Sequence, residues 1–258
     1  MLVAYNVVVY GWLLAPILIV IVFSFSADAG LDFPPRALSL RWFRYLAGRD
    51  EFFSAAYVSL KVALAAGAAS TVLGLLASLA LVRGRFSGKE LVEGVLMSPL
   101  ALPSIITGVA LLQFFALTGP SDALGRLILG HVAVCTPYAI RSISACAYGI
   151  DPSLEEASRV LGASAWRTFR RVLLPLLSPG VVAGFLFAFI TSFDNVTVSL
   201  FLIGSDTITL PIRILTYLEW QFDPSIAAIA TVLIAVTIGA VVGAERVAGF
   251  RKKMASLA

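Results

Sequence analysis

The sequence has few charged residues and few residues of the kinds that catalyse reactions. Only 13% of its 258 residues are charged, 59% are hydrophobic, and there is a single histidine, His131. A soluble domain is closer to half apolar and a quarter charged. The apolar excess therefore excludes an ordinary soluble domain and predicts an α-helical membrane protein, whose surface faces lipid or other helices.

The few residues that could catalyse a reaction or bind a metal are isolated. His131 has no acid near it in the sequence, and a serine-type triad needs a base held by a third group. We therefore expect His131 to make an interhelical hydrogen bond. Cys135 and Cys146 are eleven residues apart, which matches no metal-ligand spacing. We therefore expect both cysteines to be buried packing residues. The chain is predicted to have no catalytic residue and no metal site.

Residues 84–90, Gly-Arg-Phe-Ser-Gly-Lys-Glu, only partly match a phosphate-binding loop. That loop has four residues between its glycines and a Ser or Thr after the Lys. This segment has three residues between the glycines, and Glu follows the Lys. We therefore predict that the chain does not bind ATP in this way and that any ATPase is a separate subunit.

Apolar runs predict six transmembrane spans, because a helix needs about 20 apolar residues to cross a bilayer. The fourth run is the shortest, bracketed by Arg126 and Arg141. The first run has no basic residue before it and no clear cleavage site after it, so we expect a retained helix; a truncated start is the alternative. The predicted spans, in a single transmembrane domain covering 1–258, are 4–26, 54–82, 91–117, 124–148, 178–204 and 224–246.

Lysine and arginine divide the loops into two sets. One set contains the turn 83–89, the loop 149–177 and the segment after the sixth span, and the arginines of the opposite set are diluted by acids. Basic residues are retained on the cytoplasmic side. We therefore predict that the first set and both termini are cytoplasmic. The net charge of +4 follows from this bias and implies no nucleic-acid partner.

The loop 149–177 has the pattern of two short helices. Asp151 and Pro152 are typical of a helix start. Gly162 can adopt the left-handed conformation that ends a helix, and a second start follows at Ser164. The apolar face of the first helix is formed by Leu154, Ala157, Val160 and Leu161.

This first helix has two possible roles. It could lie on lipid headgroups as an amphipathic helix, or it could dock a soluble protein partner. Glu155 and Glu156 favour the protein partner, because anionic headgroups would repel them.

The same loop resembles the signature of a known family. The matching residues are Glu156-Ala157-Ser158, then Gly162 after three further residues, and then Val172-Leu173-Leu174-Pro175 after nine more. Together they resemble the EAA motif of binding-protein-dependent ABC importer permeases. The motif has Ala at the position of Ser158 and Ile at the position of Val172. The resemblance extends to the spermidine/putrescine branch of type I permeases through Leu40-Arg41-Trp42-Phe43, Ser59-Leu60-Lys61-Val62-Ala63, Pro99 with Pro103, Ser192-Phe193-Asp194-Asn195 and Thr209-Leu210-Pro211.

The resemblance implies an all-α, type I ABC importer (MetI-like) fold with six transmembrane helices and a cytoplasmic coupling helix, in the bacterial inner membrane. It implies two ATP-binding subunits that hold ATP and magnesium, an external substrate-binding protein and a second permease. That permease is usually a different chain, so a heterodimer is expected. No cofactor is expected in this chain. The ATPase-docking residues would be Glu155, Glu156, Ala157, Ser158, Gly162 and Pro175.

Polyamines are the substrate that the resemblance implies first; ferric iron, thiamine, phosphonates and opines are alternatives. Asp194 lies in an otherwise uncharged run, where an acid costs about 2.5–3.5 kcal/mol. We expect its carboxylate to assist a cationic substrate, or else to cap or bridge broken backbone or to pair with a basic residue. In one continuous helix Asp194 would border a polar arc formed by Thr191, Ser192, Asn195 and Ser199. The candidate residues of the translocation pathway are Asp194, Asn195, Thr191 and Ser199.

Two alternatives come from other classes of protein. An ion-coupled secondary carrier would need more ionisable groups inside the membrane and usually has inverted repeats. An intramembrane hydrolase would need a Ser or an Asp pair with a base, which His131 alone does not provide. Neither pattern is clear in the sequence, and copurification of an ATPase would separate both alternatives from an importer permease.

Overall fold

A computed structural model describes residues 2–30, 33–221 and 223–239 of the chain. These residues are helical, with connecting turns and two isolated β-bridges. Within hydrocarbon a helix satisfies its backbone groups from its own segment, which is why an apolar sequence of this kind folds into helices. The predicted all-α class is confirmed.

The helices are numbered here in chain order. One π-helical turn, Phe169–Leu173, connects α8 to α9. The α-helices are α1 Leu2–Ser24, α2 Arg41–Ala47, α3 Asp50–Arg83, α4 Lys89–Ala101, α5 Ser104–Thr118, α6 Ala123–Tyr148, α7 Ser153–Val160, α8 Ala165–Thr168, α9 Leu174–Phe193, α10 Thr197–Leu202, α11 Leu210–Trp220 and α12 Ser225–Gly239.

Four helical segments of the described chain are long and apolar enough to cross a membrane. They are Tyr5–Ser24, Asp50–Arg83, Ala123–Tyr148 and Ala165–Phe193, and the bent pair α4 and α5 would make a fifth. The sixth predicted span, 224–246, begins with α12, and its last residues lie outside the described part of the chain. The number of six crossings stays a prediction.

Two predicted spans are not single continuous helices, and the sequence-based expectation was wrong there. The span 91–117 consists of α4 and α5, whose axes differ by 109°. Leu102 is extended between them because the residue before a proline, here Pro103, is disfavoured in helical conformation. The span 178–204 ends its first helix at Phe193, and the chain becomes helical again at Thr197.

Residues 54–213 form one compact unit. Its α6 and α9 pack closely because α9 carries small residues on the facing side. A Cβ added at Gly184 would lie 3.3 Å from Cα of Ala139, and one added at Gly180 would lie 2.6 Å from Cβ of Cys146. Small residues at such spacing let membrane helices approach each other. Cys135 is fully buried in the same core, as expected of a packing residue.

Residues 1–53 and 214–258 form a second compact unit, of which the described part includes α1, α2 and α12. Its aromatic side chains pack in pairs: the rings of Phe25 and Phe43 lie 5.2 Å apart, and those of Phe52 and Tyr217 lie 5.5 Å apart. The Tyr217 hydroxyl donates to the Asp223 carboxylate over 3.0 Å. Whether 1–258 behaves as a single domain stays a prediction.

Candidate functional site

The helix α7 starts where the sequence predicts a start. The carboxylate of Asp151 accepts a hydrogen bond from the Ser153 N–H over 2.9 Å, and Pro152 occupies the N-cap position. This hydrogen bond from the Ser153 backbone holds the pKa of the Asp151 carboxyl below its usual value. Negative charge at this end is favourable because the free N–H groups of a first turn carry partial positive charge.

The helix α7 ends in a Schellman motif formed around Gly162. The Gly162 N–H donates to the Arg159 carbonyl over 2.9 Å, and the Ala163 N–H donates to the Ser158 carbonyl over 3.1 Å. This pattern requires a left-handed residue just after the helix, and the φ of Gly162 is +80°. The left-handed conformation predicted for Gly162 is therefore confirmed. The second start is also confirmed, because the Ser164 hydroxyl accepts a hydrogen bond from the Arg167 N–H.

The described residues of the chain leave the apolar face of α7 uncovered. No residue of α7 is buried. Leu154 is 45% exposed, Val160 and Leu161 are each 87% exposed, and Trp166 after the turn is 67% exposed. Exposed apolar side chains clustered in this way are typical of an interaction surface.

The two neighbouring acids of α7 lie in different environments. Glu155 pairs with Arg83 at the end of α3, with 2.9 Å between Oε1 and Nε. Glu156 is exposed and makes no hydrogen bond or ion pair with the described residues. Sequence reasoning missed Arg83, since it lies 72 positions before Glu155 and no local pattern links the two.

The remaining predicted docking residues are divided between the surface and the packing of the loop. The Ser158 hydroxyl lies 3.0 Å from the hydroxyl of the buried Thr168, which ties α7 to the next helix. Ala157 and Gly162 are exposed. Pro175 is exposed too, and it is the second residue of α9.

The second candidate site is the break between α9 and α10. The N–H of Asp194 donates to the Ile190 carbonyl and ends α9, and its side chain is exposed without a partner among the described residues. The side-chain oxygen of Asn195 accepts from the Val198 N–H over 2.9 Å and so caps α10. The polar arc expected for one continuous helix is therefore wrong. Thr191 lies before the break, and Asn195 and Ser199 are positioned by the break itself.

His131 on α6 holds the two sides of this break. Its Nδ1 lies 2.8 Å from the Ser192 hydroxyl, and its Nε2 lies 3.0 Å from the Ser199 hydroxyl. The Ser199 hydroxyl donates to the Asn195 carbonyl over 2.5 Å, so the tautomer with its proton on Nε2 satisfies all of these groups. The expected interhelical hydrogen bond of His131 is confirmed, and it involves two partners rather than one.

Comparison with known proteins identifies the family. Residues 70–245 match the family described as "Binding-protein-dependent transport system inner membrane component". The chain belongs to this family. It is therefore a membrane-embedded permease subunit of an ABC importer and not an enzyme, as the resemblance of its loop 149–177 implied. Importers of this family work with a separate ATPase and a substrate-binding protein, and the secondary-carrier and hydrolase alternatives are set aside.

Curated relatives cover almost the whole permease. The spermidine/putrescine transport system permease protein PotC of Haemophilus influenzae is 36% identical over 240 residues, 93% of each chain. The PotC protein of Escherichia coli K12 is 31% identical over 246 residues, 95% of this chain and 92% of the relative. The putrescine transport system permease protein PotI of the same strain is 33% identical over 87% of this chain and 82% of its own.

Solved structures show the fold of the permease. A chain of a bacterial ABC transporter involved in the import of alginate superposes with a TM-score of 0.73 at 16% identity, covering 94% of each chain. A chain of the MetNI methionine transporter superposes with a TM-score of 0.59 at 22% identity, covering 74% of this chain and 91% of its own. The predicted MetI-like fold is confirmed.

Proposed function

We propose that this permease forms half of the translocation pathway of a polyamine importer that takes up spermidine or putrescine. The observation that carries the proposal is the 36% identity, over 93% of both chains, to a permease named for those substrates. The carboxylate of Asp194, exposed at the break between α9 and α10 and without a partner among the described residues, suits a cationic substrate. A relative named for molybdenum transport is 32% identical but covers only 64% of this chain.

The proposed partners follow from the two sites. Two ATP-binding subunits, which bind ATP and magnesium, dock on the uncovered face of α7 and its counterpart in the other permease. That second permease is a different chain and completes the pathway as a heterodimer. A binding protein delivers the substrate from outside. Glu156 and the neighbouring apolar side chains are the contact residues that we assign to the ATPase, because they are exposed and otherwise unpartnered within the described chain.

The proposed orientation has both termini and the loop 149–177 in the cytoplasm. Support comes from Arg83, whose side chain reaches both Ile150 and Glu155, so the turn after α3 and the loop after α6 lie on one side of the membrane. Both segments belong to the Lys- and Arg-rich set.

Replacement of Glu156 by Lys tests the docking site. We expect Glu156→Lys to release the ATPase and abolish transport while the permease still inserts into the membrane, because the charge reversal lies on an exposed contact surface. Glu90→Lys is the matched control, an exposed acid on the turn side of α4. Normal ATPase retention and transport by Glu156→Lys would assign α7 to the headgroup layer instead.

Replacement of Asp194 by Asn tests the substrate assignment, since it keeps the shape and removes the charge. We expect uptake of polyamine to fall sharply while the complex assembles and hydrolyses ATP without substrate. Asp206→Asn, at an exposed acid after α10, is the control. A drop in assembly would instead indicate a structural role for Asp194. An Asp194→Asn variant that assembles and transports normally would remove Asp194 from the pathway and weaken the polyamine assignment.

A further inference from the structure

The guanidinium of Arg83 contacts two residues of the loop 149–177, Ile150 and Glu155. Arg83 is the last residue of α3. Its Nε lies 2.9 Å from the Glu155 carboxylate on α7, and its Nη2 donates to the Ile150 carbonyl over 2.7 Å. Ile150 follows the end of α6. One side chain therefore connects the ends of two membrane helices to the helix that the ATPase is proposed to contact.

The bridge is only partly accessible to water. The side chains of Arg83 and Glu155 are 23% and 16% exposed. Ile150 is buried in an apolar cluster with Ile143 and Leu173, so its carbonyl is held in place. The attraction between opposite charges strengthens as water is excluded, because the local dielectric constant falls. The Arg83–Glu155 ion pair is therefore stronger than an ion pair on an open surface, where such pairs contribute little to stability.

The bridge depends on arginine rather than on positive charge alone. A guanidinium presents five N–H donors in a planar fork, so it can serve a carboxylate and a carbonyl at the same time. A lysine at position 83 would place a single compact charge at the end of a flexible stem and would not reproduce this geometry.

The geometry points to Arg83 and Glu155 as positioning residues that transmit movement of α7 to the ends of α3 and α6. This inference rests on the proposed function, in which an ATPase moves α7. Without the bridge, α7 would lose its ion pair with the end of α3. It would then be held by the backbone of residues 149–152 and by the Ser158–Thr168 contact with α8, so its movement would reach α3 less directly. Glu156, which faces outward one residue later, is left for contact with the ATPase.

The test uses the complete importer in proteoliposomes and measures substrate transported per ATP hydrolysed. Arg83→Gln and Glu155→Gln are each expected to retain the ATPase and its hydrolysis but to transport roughly tenfold less per ATP, because a partly buried ion pair is lost and one charge is left without its partner. The double variant should be no worse than the worse single variant, since both remove the same interaction. Arg85→Gln, an exposed arginine on the same turn without a partner among the described residues, should be normal.

Each result either supports or overturns the inference. Additive losses in the double variant, or normal coupling in either single variant, would overturn it. Loss of the bound ATPase in Glu155→Gln would also overturn it, because Glu155 would then be a docking residue. Arg83→Lys keeps the charge, so it is expected to assemble normally and still couple poorly. Failure of the proposed function is a separate result, in which the unaltered chain copurifies with no ATPase.

Discussion

Substitution of Gly162 tests the end of α7 through a purely conformational effect. Its φ of +80° lies in the left-handed region, and a Cβ added there would have no neighbour within 4 Å. Any cost therefore comes from the backbone conformation and not from a clash. A residue with a Cβ pays about 1–2 kcal/mol in this region.

The size of the effect is expected to follow the side chain. Gly162→Ala should destabilise the end of α7 by about 1 kcal/mol, because reduced freedom of the unfolded chain offsets part of the strain. Gly162→Asn should cost less, since Asn tolerates the left-handed conformation. Gly162→Val should cost about 2 kcal/mol or more, because a β-branched residue is strongly disfavoured there.

Hydrogen exchange in the purified permease measures this effect directly. The reporters are the Gly162 and Ala163 amides, which donate the two hydrogen bonds of the Schellman motif. A cost of about 1 kcal/mol corresponds to a roughly fivefold increase in the opening equilibrium. In Gly162 variants other than proline both amides remain, so the comparison is made amide by amide.

A second glycine of the same loop is the control. Gly149 has an ordinary φ of −79°, and a Cβ there would lie 3.5 Å from the Cys146 carbonyl oxygen, an ordinary contact. Gly149→Ala should therefore change local stability by no more than about 0.5 kcal/mol. Equal protection in Gly162→Ala and the unaltered chain, or greater protection with Val than with Asn, would refute the assignment of a left-handed helix end.

Three further predictions concern other contacts and the topology. Ser158→Ala should lower the melting temperature of the purified permease by an amount equivalent to about 1 kcal/mol, since the buried Thr168 hydroxyl loses its partner; an unchanged melting temperature would contradict this. His131→Leu should lower the melting temperature more, since the hydroxyls of Ser192 and Ser199 both lose their hydrogen bonds to His131. A melting temperature equal to that of the unaltered chain would contradict the role of His131 in holding the break between α9 and α10. In a background without native cysteines, a cysteine at Asp206 should react with an impermeant reagent added to intact cells and one at Ser87 should not; labelling at Ser87 would overturn the orientation.

Local signals in the sequence were sufficient to predict the ends of α7. Asp151, Gly162 and Ser164 act through hydrogen bonds or dihedral angles within a few residues of their own positions. The helix ends could therefore be predicted from residue type and order alone. The apolar face of α7 could also be predicted, because its spacing is that of a single helix.

The breaks in the membrane helices could not be located in the same way. Pro99 lies inside α4, whereas Pro103 is the N-cap of α5, so the same residue type has two outcomes four positions apart. The break at Asp194 contains neither glycine nor proline and is held by His131 from another helix.

The pairing of Arg83 with Glu155 was likewise beyond the reach of sequence patterns. The two residues are brought together by the packing of α3, α6 and α7, and the chain between them contains three other helices, α4, α5 and α6. Sequence reasoning grouped Glu155 with Glu156 because they are adjacent, whereas tertiary contacts give the two carboxylates different surroundings.

The most direct test of the central claim is uptake by the reconstituted importer. The complex that contains this chain is placed in proteoliposomes with ATP inside and the cognate binding protein with labelled spermidine outside. We predict ATP-dependent accumulation of spermidine that requires this permease and is competed by unlabelled putrescine. Absence of polyamine uptake by a complex that accumulates another solute, such as molybdate, under the same conditions would contradict the polyamine assignment.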